Sequence, residues 1–303
     1  MVRCFARVQV FSCKLVVVTA IFGSDQDDFR RGPQLSVIQH MDPQDAHGTQ
    51  SVDRALLLLQ RLGAEGRTLA ALFSDTGLNK ATVRRLLLAL IRAGLVEQDE
   101  AHRSYHLGEQ LQVLGAQAAH RPGLMAAAGE SVMRLAQITG DVALLSVRRG
   151  ASALCLMREE GSHPLRSHAL VAGQSHPLGV GAGSLAMLAS LPEAERTTVL
   201  AAIAPVLIDR YPGLPPNRMR SLVAQARAEG VALNPGLVLE GSWGLGIALH
   251  HPGGGLAGAL SIAAVEARMR ADRLPDLTRA LRAEAARIQT RLAQTAPRLG
   301  RET

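Results

Sequence analysis

Three cations and a hydroxyl, Lys80, Thr82, Arg84 and Arg85, stand within six residues of one another. Such side chains donate to phosphate oxygens and to base edges, which is the chemistry of nucleic-acid recognition. Their neighbours dictate how they are presented. In "KATVRRLLLALIRAGL", Val83, Leu86, Leu87 and Leu90 recur at three- and four-residue spacing. That spacing predicts a helix with these four buried and with Lys80, Ala81, Thr82, Arg84 and Arg85 turned outward. Asn79 is placed to cap its start. Just before it, "TLAALFSDTGL" supplies Thr68, a short helix with apolar Leu69, Leu72 and Phe73, Gly77 for a sharp turn, and Leu78 to plug the corner. A second helix tightly turned from the first, with donors on its outer N-terminal half, is how a helix-turn-helix enters the major groove. Gly94 ends that helix, and "LVEQDEAHRSYHLG" predicts two short strands around a polar tip, a wing carrying His102 and Arg103. Thr68, Asn79, Lys80, Thr82, Arg84, Arg85 and Arg103 are the candidate DNA-binding residues.

Composition frames this segment without deciding it. The net charge of +7 suits a polyanionic partner. The basic residues are almost all Arg, however, with Lys only at positions 14 and 80, and Ser51 to Gly108 holds eight Arg or Lys against six Asp or Glu. The nucleic-acid reading therefore rests on where the charges sit rather than on their sum. Cys4, Cys13 and Cys155 lack metal-ligand spacing and are odd in number, which points to free thiols in a reducing compartment. Arg3, Arg7 and Lys14 ahead of an apolar run from Leu15 to Phe22 imitate a signal peptide, but the run is far shorter than the ~20 residues of a membrane span. Residues 1–45 are expected to be disordered or not translated, with Met41 as the start, and the protein to be cytoplasmic with no membrane partner.

Other elements position these residues. A helix from Val52 to Leu62 is expected to bury Val52, Ala55, Leu56, Leu59 and Leu62 as the third member of a small bundle. "EQLQVLGAQAAH" predicts a further helix with Leu111, Val113 and Leu114, too apolar for a solvated linker and so suited to pairing with its twin in a dimer. Beyond Pro122 the periods alternate. Helices are expected at Leu124 to Ile138, Ser184 to Ser190, around Arg218 to Glu229, and Leu274 to Ala293, with strands in "VALLSVRR", "SALCLMRE", "WGLGIAL" and "LAGALSIAA". The pattern is α+β, an antiparallel sheet flanked by helices. The domains are expected at 46–108, 109–121 for the linker helix, and 122–298.

Two features imitate catalysis. "GVGAG" at 179–183 lacks the third glycine and the acidic partner of a dinucleotide fingerprint, and no Lys precedes Ser184 to make a phosphate loop. His163, His168, His176, His250 and His251 are scattered, and no nucleophile elbow or carboxylate pair stands out, so no catalytic residue, metal or cofactor is expected. What the glycines offer is close backbone approach to a small ligand, with N–H donors at the start of the helix that follows.

From Ser51 to about Gln294 the chain resembles the IclR family of bacterial transcriptional regulators. "SVDRAL", "TGLNKATVRRLL" and "GLVEQDEAHRSYHLG" meet the family's N-terminal pattern with its spacing kept. Asn79 stands where the family often has Pro, one helix-start residue in place of another, and Ala81 stands where it often has Ser, which removes a possible base or phosphate contact and points to a different operator. "EEGSHPLR", "HPLGVGAGSLAMLA", "AEGVALN", "GSWGLGIAL" and "GALSIA" follow the family's C-terminal order. The resemblance implies a winged helix-turn-helix domain, a linker helix and a GAF-like effector-binding domain. It implies a homodimer or dimer of dimers on a double-stranded operator, controlling a catabolic operon. It also implies an effector pocket at Ala182, Gly183, Asn234, Gly244, Ser261 and Ala263. Gly244 and Ala263 supply fewer polar groups there than the acid-sensing type of the family, which favours a larger, partly aromatic or apolar acid. A side chain at Gly183 is expected to block the ligand and leave the recognition helix undisturbed. Two other readings stay open at this point: an enzyme with an attached winged-helix domain, and a constitutive architectural DNA binder.

Overall fold

In the computed structural model the described residues are 49–295 apart from 64, 120 and 166–169, so the expectation for residues 1–45 lies outside them. The N-terminal portion opens with α1 (Gln50–Leu62), followed by the short strand β1 (Arg67–Thr68), α2 (Leu69–Thr76) and α3 (Lys80–Arg92). β2 (Val96–Asp99) and β3 (Ser104–Leu107) then form the wing, joined by β1 into a three-stranded sheet of order β1-β3-β2. Gly77, at φ +65°, takes the left-handed conformation that closes α2, and this is what turns the chain so tightly into α3. Val83, Leu86, Leu87 and Leu90 are all buried, packed with Leu58, Leu62, Leu72, Val96 and Tyr105.

The buried face of α1 differs from the expected one. Leu58 and Leu62 fill the core and Ala55 and Leu59 pack beside them, whereas Val52 and Leu56 are 59% and 46% exposed. Leucines at 56, 57, 58 and 59 offer an apolar residue to every side of the helix, so packing against α2 and α3 chooses the face. Phe73 is likewise exposed, because the two-turn α2 buries only the side carrying Leu72, with Leu69 half-buried behind it.

After α4 (Glu109–Ala119), the C-terminal portion is a six-stranded antiparallel sheet of order β6-β5-β4-β9-β8-β7, bearing out the α+β expectation. Its strands are β4 (Val142–Arg149), β5 (Ser152–Glu159), β6 (Ser175–Pro177), β7 (Ala232–Leu239), β8 (Ser242–His250) and β9 (Leu256–Val265). One face packs on α5 (Leu124–Thr139) and α9 (Leu274–Thr295) through Leu135, Leu145, Leu245, Leu260, Leu281 and Ile288. The other carries α6 (Ala182–Ser190), with α7 (Glu193–Arg210) and α8 (Pro216–Glu229) around it, through Leu185, Met187, Leu188, Ile203, Met219 and Val223. The α6 face has a regular construction. Asn234, Gly244, Ala263 and Val142 pair across β7, β8, β9 and β4 as one row, and Ala232, Gly246, Ser261 and Leu144 form the next. Paired residues share a face, so both rows look the same way.

Candidate functional site

α3 holds its cations clear of the core: Lys80, Ala81, Arg84 and Arg85 are exposed and Thr82 is half-buried. Asn79 Oδ1 accepts from the N–H of Thr82 at 2.8 Å and Thr68 Oγ1 from the N–H of Ala71 at 3.3 Å. Both side chains therefore fix helix starts with their oxygens, and the amide of Asn79 and the hydroxyl of Thr68 retain hydrogens to donate. Thr68 pairs with Ser104, the neighbour of Arg103, so these two candidates belong to the wing. At the wing tip Asp99 accepts from the His102 ring at 2.7 Å and from the N–H groups of His102 and Ala101 at 3.2 and 2.8 Å. These bonds, the ring's above all, hold the Asp99 carboxyl below its ordinary pKa. Arg103 follows at φ +51°, the one non-glycine residue of positive φ among the described residues, and its side chain is exposed at the tip.

The second site is a pocket on the α6 face of the sheet, about 610 Å³ of empty space with its open mouth counted. All six candidate residues, Ala182, Gly183, Asn234, Gly244, Ser261 and Ala263, line it. The strand rows place Asn234, Gly244, Ala263 and Ser261 on the sheet, and α6 brings Ala182 and Gly183 down onto them. Glycine makes that approach possible. A Cβ on Gly246 would stand 2.5 Å from the backbone carbon of Ala182, and one on Gly244 would stand 3.0 Å from the Ala182 Cβ. Gly183 is equally tight, since its Cβ would meet Ser261 Oγ at 3.0 Å.

The first intrahelical bond of α6 runs from the N–H of Leu185 to the carbonyl of Gly181, leaving the N–H groups of Ala182, Gly183 and Ser184 ahead of it. Ser184 Oγ is committed locally, accepting from Gly179 N–H at 2.8 Å, and Asn234 Oδ1 accepts from Leu237 N–H at 3.0 Å. The rest of the wall is mostly apolar, with Val142, Leu144, Leu170, Val238 and Trp243. Trp243 is the chain's sole tryptophan.

His176 also lines this pocket, a residue that sequence reasoning registered only as one scattered histidine. β6 carries it, paired to Ala153 of β5. Its Nδ1 is sealed from solvent with no hydrogen-bond partner, and burial pushes its pKa down to about 4. Cys155, beneath the same pocket wall, is a free thiol that burial pushes up to about 12, an inert group rather than a nucleophile. Among the described residues no three His, Cys, Asp or Glu side chains gather as a metal site, and no helix is long and apolar enough to cross a membrane. His168 lies outside the described residues.

Comparison with known proteins places this geometry. The family described as the IclR helix-turn-helix domain matches residues 51–100, and that described as Bacterial transcriptional regulator IclR C-terminal matches residues 116–290, more than half of the chain. The chain is 28% identical to HTH-type transcriptional regulator BhcR of Paracoccus denitrificans over 160 residues, a stretch covering 52% of this chain and 57% of that protein. It is 26% identical over 260 residues to HTH-type transcriptional repressor AllR of Klebsiella pneumoniae, covering 83% of this chain and 93% of the other. Among solved structures, an IclR homolog from Microbacterium hydrocarbonoxydans complexed with 4-hydroxybenzoate shares the fold, with a TM-score of 0.69 at 22% identity, over 80% of this chain and 99% of that one.

Proposed function

Since this chain belongs to the IclR family of bacterial transcriptional regulators, we propose that it grips a double-stranded operator with α3 and the wing, and that a small organic acid in the α6 pocket controls the grip. The observation that carries the reading is the division of α3: four buried aliphatic residues on one side, and exposed Lys80, Arg84 and Arg85 on the other. The domains in this reading are 46–108 for DNA, 109–121 for the connection and 122–298 for the effector, and the protein works in the cytoplasm, where its operator is. The matched families and the curated relatives are transcriptional regulators, so the reading of the chain as an enzyme has no support.

Arg84, Arg85 and Thr82 are assigned to base edges and Lys80 to phosphate. On an operator recovered by selection from random duplexes, Arg85→Ala is expected to lose about 1–3 kcal/mol of binding and to relax the preference at one base pair. Lys80→Ala should weaken every sequence alike and flatten the dependence on salt. Gel shifts in which both folded variants bind as wild type would remove α3 from the groove.

One winged helix reads one half-site, so the operator is proposed to be an inverted repeat bound by a homodimer or a dimer of dimers. α4 buries none of its residues within the chain and leaves Val113 and Leu114 exposed, and Val52 and Leu56 of α1 are exposed as well. A Val113→Glu, Leu114→Glu variant is expected to sediment as a smaller species than wild type and to lose operator affinity. Unchanged sedimentation would take the self-association away from α4.

The effector is proposed to be an acid with an apolar or aromatic body. The wall around Trp243 supports this, and the relative that carries 4-hydroxybenzoate makes that acid the first probe.

A further inference from the structure

Among the described residues no lysine, arginine, aspartate or glutamate lines the pocket, and His176 is the one lining side chain there with an ionisable ring. An organic acid bound there carries its negative charge against Val142, Leu144, Val238 and Trp243, where an uncompensated charge is costly. Part of the compensation is built in: the unbonded N–H groups of Ala182 and Gly183 stand at the positive end of the α6 dipole. These are partial charges, and the described lining supplies no full one.

His176 is placed to supply it. Buried polar groups as a rule have hydrogen-bond partners, yet Nδ1 of this ring has none. Its Nε2 lies on the side of α6's first turn, 3.8 Å from where a Cβ on Gly181 would stand. We propose that His176 is the charge-balancing residue of the pocket: the effector acid binds as its carboxylate on the N–H groups of Ala182 and Gly183, together with one solvent proton that settles on the His176 ring. The inference rests on the reading of this pocket as the effector site. One N–H bond forms on the imidazole as a hydronium or buffer acid gives up its proton, and no bond of the effector breaks.

Among the described residues no other group competes for the role. α6 carries no titratable side chain. On β5, the paired strand, stand Cys155, a neutral thiol, with Arg158 and Glu159 toward its far end. On α7, Glu195 pairs with Arg148, Arg196 donates to the carbonyl of Leu191, Asp209 pairs with Arg210, and Glu193 is exposed. None of these lines the pocket, and burial is the whole cause that lowers His176.

The sign of the pH dependence follows. The free ring is neutral above about 4. A carboxylate beside the ring favours its charged form, so in the complex it titrates above the value of the free protein. Between the two values the complex holds a proton that its separate parts lack, so affinity rises as pH falls, by up to about tenfold per pH unit.

The test is isothermal titration of the full-length protein with 4-hydroxybenzoate, benzoate and the uncharged benzamide, across about pH 5–7, in two buffers of different ionisation heat. Melting curves at each pH accompany it, because a neutral buried histidine loses the fold stability as pH drops below 6.5. The expected result is uptake approaching one proton at the acid end for the carboxylates, none for benzamide, and a flat pH profile in folded His176→Gln. Three outcomes overturn the proposal: a carboxylate that binds wild type without proton uptake, full uptake in folded His176→Gln, or no carboxylate binding at millimolar concentration. The wild-type arm decides by itself if His176→Gln does not fold. A folded Ala263→Phe variant that binds the carboxylates as wild type does would instead overturn the pocket assignment beneath the proposal.

Discussion

Asp141→Asn should cost the fold about 3–5 kcal/mol, the penalty for removing one partner of a buried ionic cluster. The Asp141 side chain is 1% exposed and lies in the short connection between α5 and β4. Its carboxylate takes Arg268 Nε at 2.5 Å on one oxygen and an Arg273 guanidinium nitrogen at 2.6 Å on the other. Both arginines also donate to the carbonyl of Thr139, at 2.9 and 2.6 Å. One carboxylate thus ties the entry to β4 to the segment leaving β9, and β4 and β9 are the central strands that carry Val142, Leu144, Ser261 and Ala263 into the pocket. With the charge removed, two half-buried guanidiniums face each other with only carbonyls for company. The exposed pair Arg270–Asp272 is the control: its partners are 68% and 69% exposed, and Asp272→Asn is expected to change stability by less than about 1 kcal/mol. Denaturant midpoints for the two variants measure the contrast. Equal, small losses would mean that the cluster is not the clamp described here.

How much of this was legible beforehand depended on whether the signal was periodic. The 3.6-residue stripe of α3, the cap at Asn79 and the turn at Gly77 are local, and all stand where the sequence predicts them. β4 and β5 match "VALLSVRR" and "SALCLMRE" residue for residue, because both are bounded by turns. α7 has a clear stripe in Val199, Ile203 and Leu207, but Pro205 inside it argues against a helix in the sequence. β7 was hidden in the same way by Pro235 and Gly236. It is an edge strand with an irregular register between Pro235 and Leu239, the setting in which a strand tolerates proline. β1 and β6 are too short to show any alternation. The effector residues came from family resemblance, and the sheet rows supply their physical reason. His176 had no local signal at all: only the pairing of β6 with β5 brings it beside α6.

Ala263→Phe should abolish the response to effector while leaving the fold and the operator affinity as they are. Ala263 is half-buried at the centre of the row Asn234–Gly244–Ala263–Val142, and its side chain borders the empty space of the pocket. A phenyl ring there occupies the volume the ligand needs without forcing two backbones apart. Gly183→Val, which the sequence suggests as the clean block, is expected to behave differently. Its Cβ would meet Ser261 at 3.0 Å to Oγ and 3.2 Å to Cβ, so the valine wedges α6 away from β9. Overpacking of this kind costs about 1–3 kcal/mol. It also displaces the N–H groups of Ala182 and Gly183, so lost response in Gly183→Val would mix two causes. Coupling between effector and operator is a difference in ligand affinity between two states, typically ~1–3 kcal/mol, and a protein that cannot take up the ligand loses all of it. Trp243 in the pocket wall reports occupancy directly, since no other tryptophan contributes to the emission. With whichever acid releases the wild-type protein from its operator, Ala263→Phe should show a wild-type melting curve, no ligand-dependent change in tryptophan emission and no release. If the folded variant is released at the wild-type concentration of that acid, the effector binds elsewhere and the pocket beside α6 serves some other purpose.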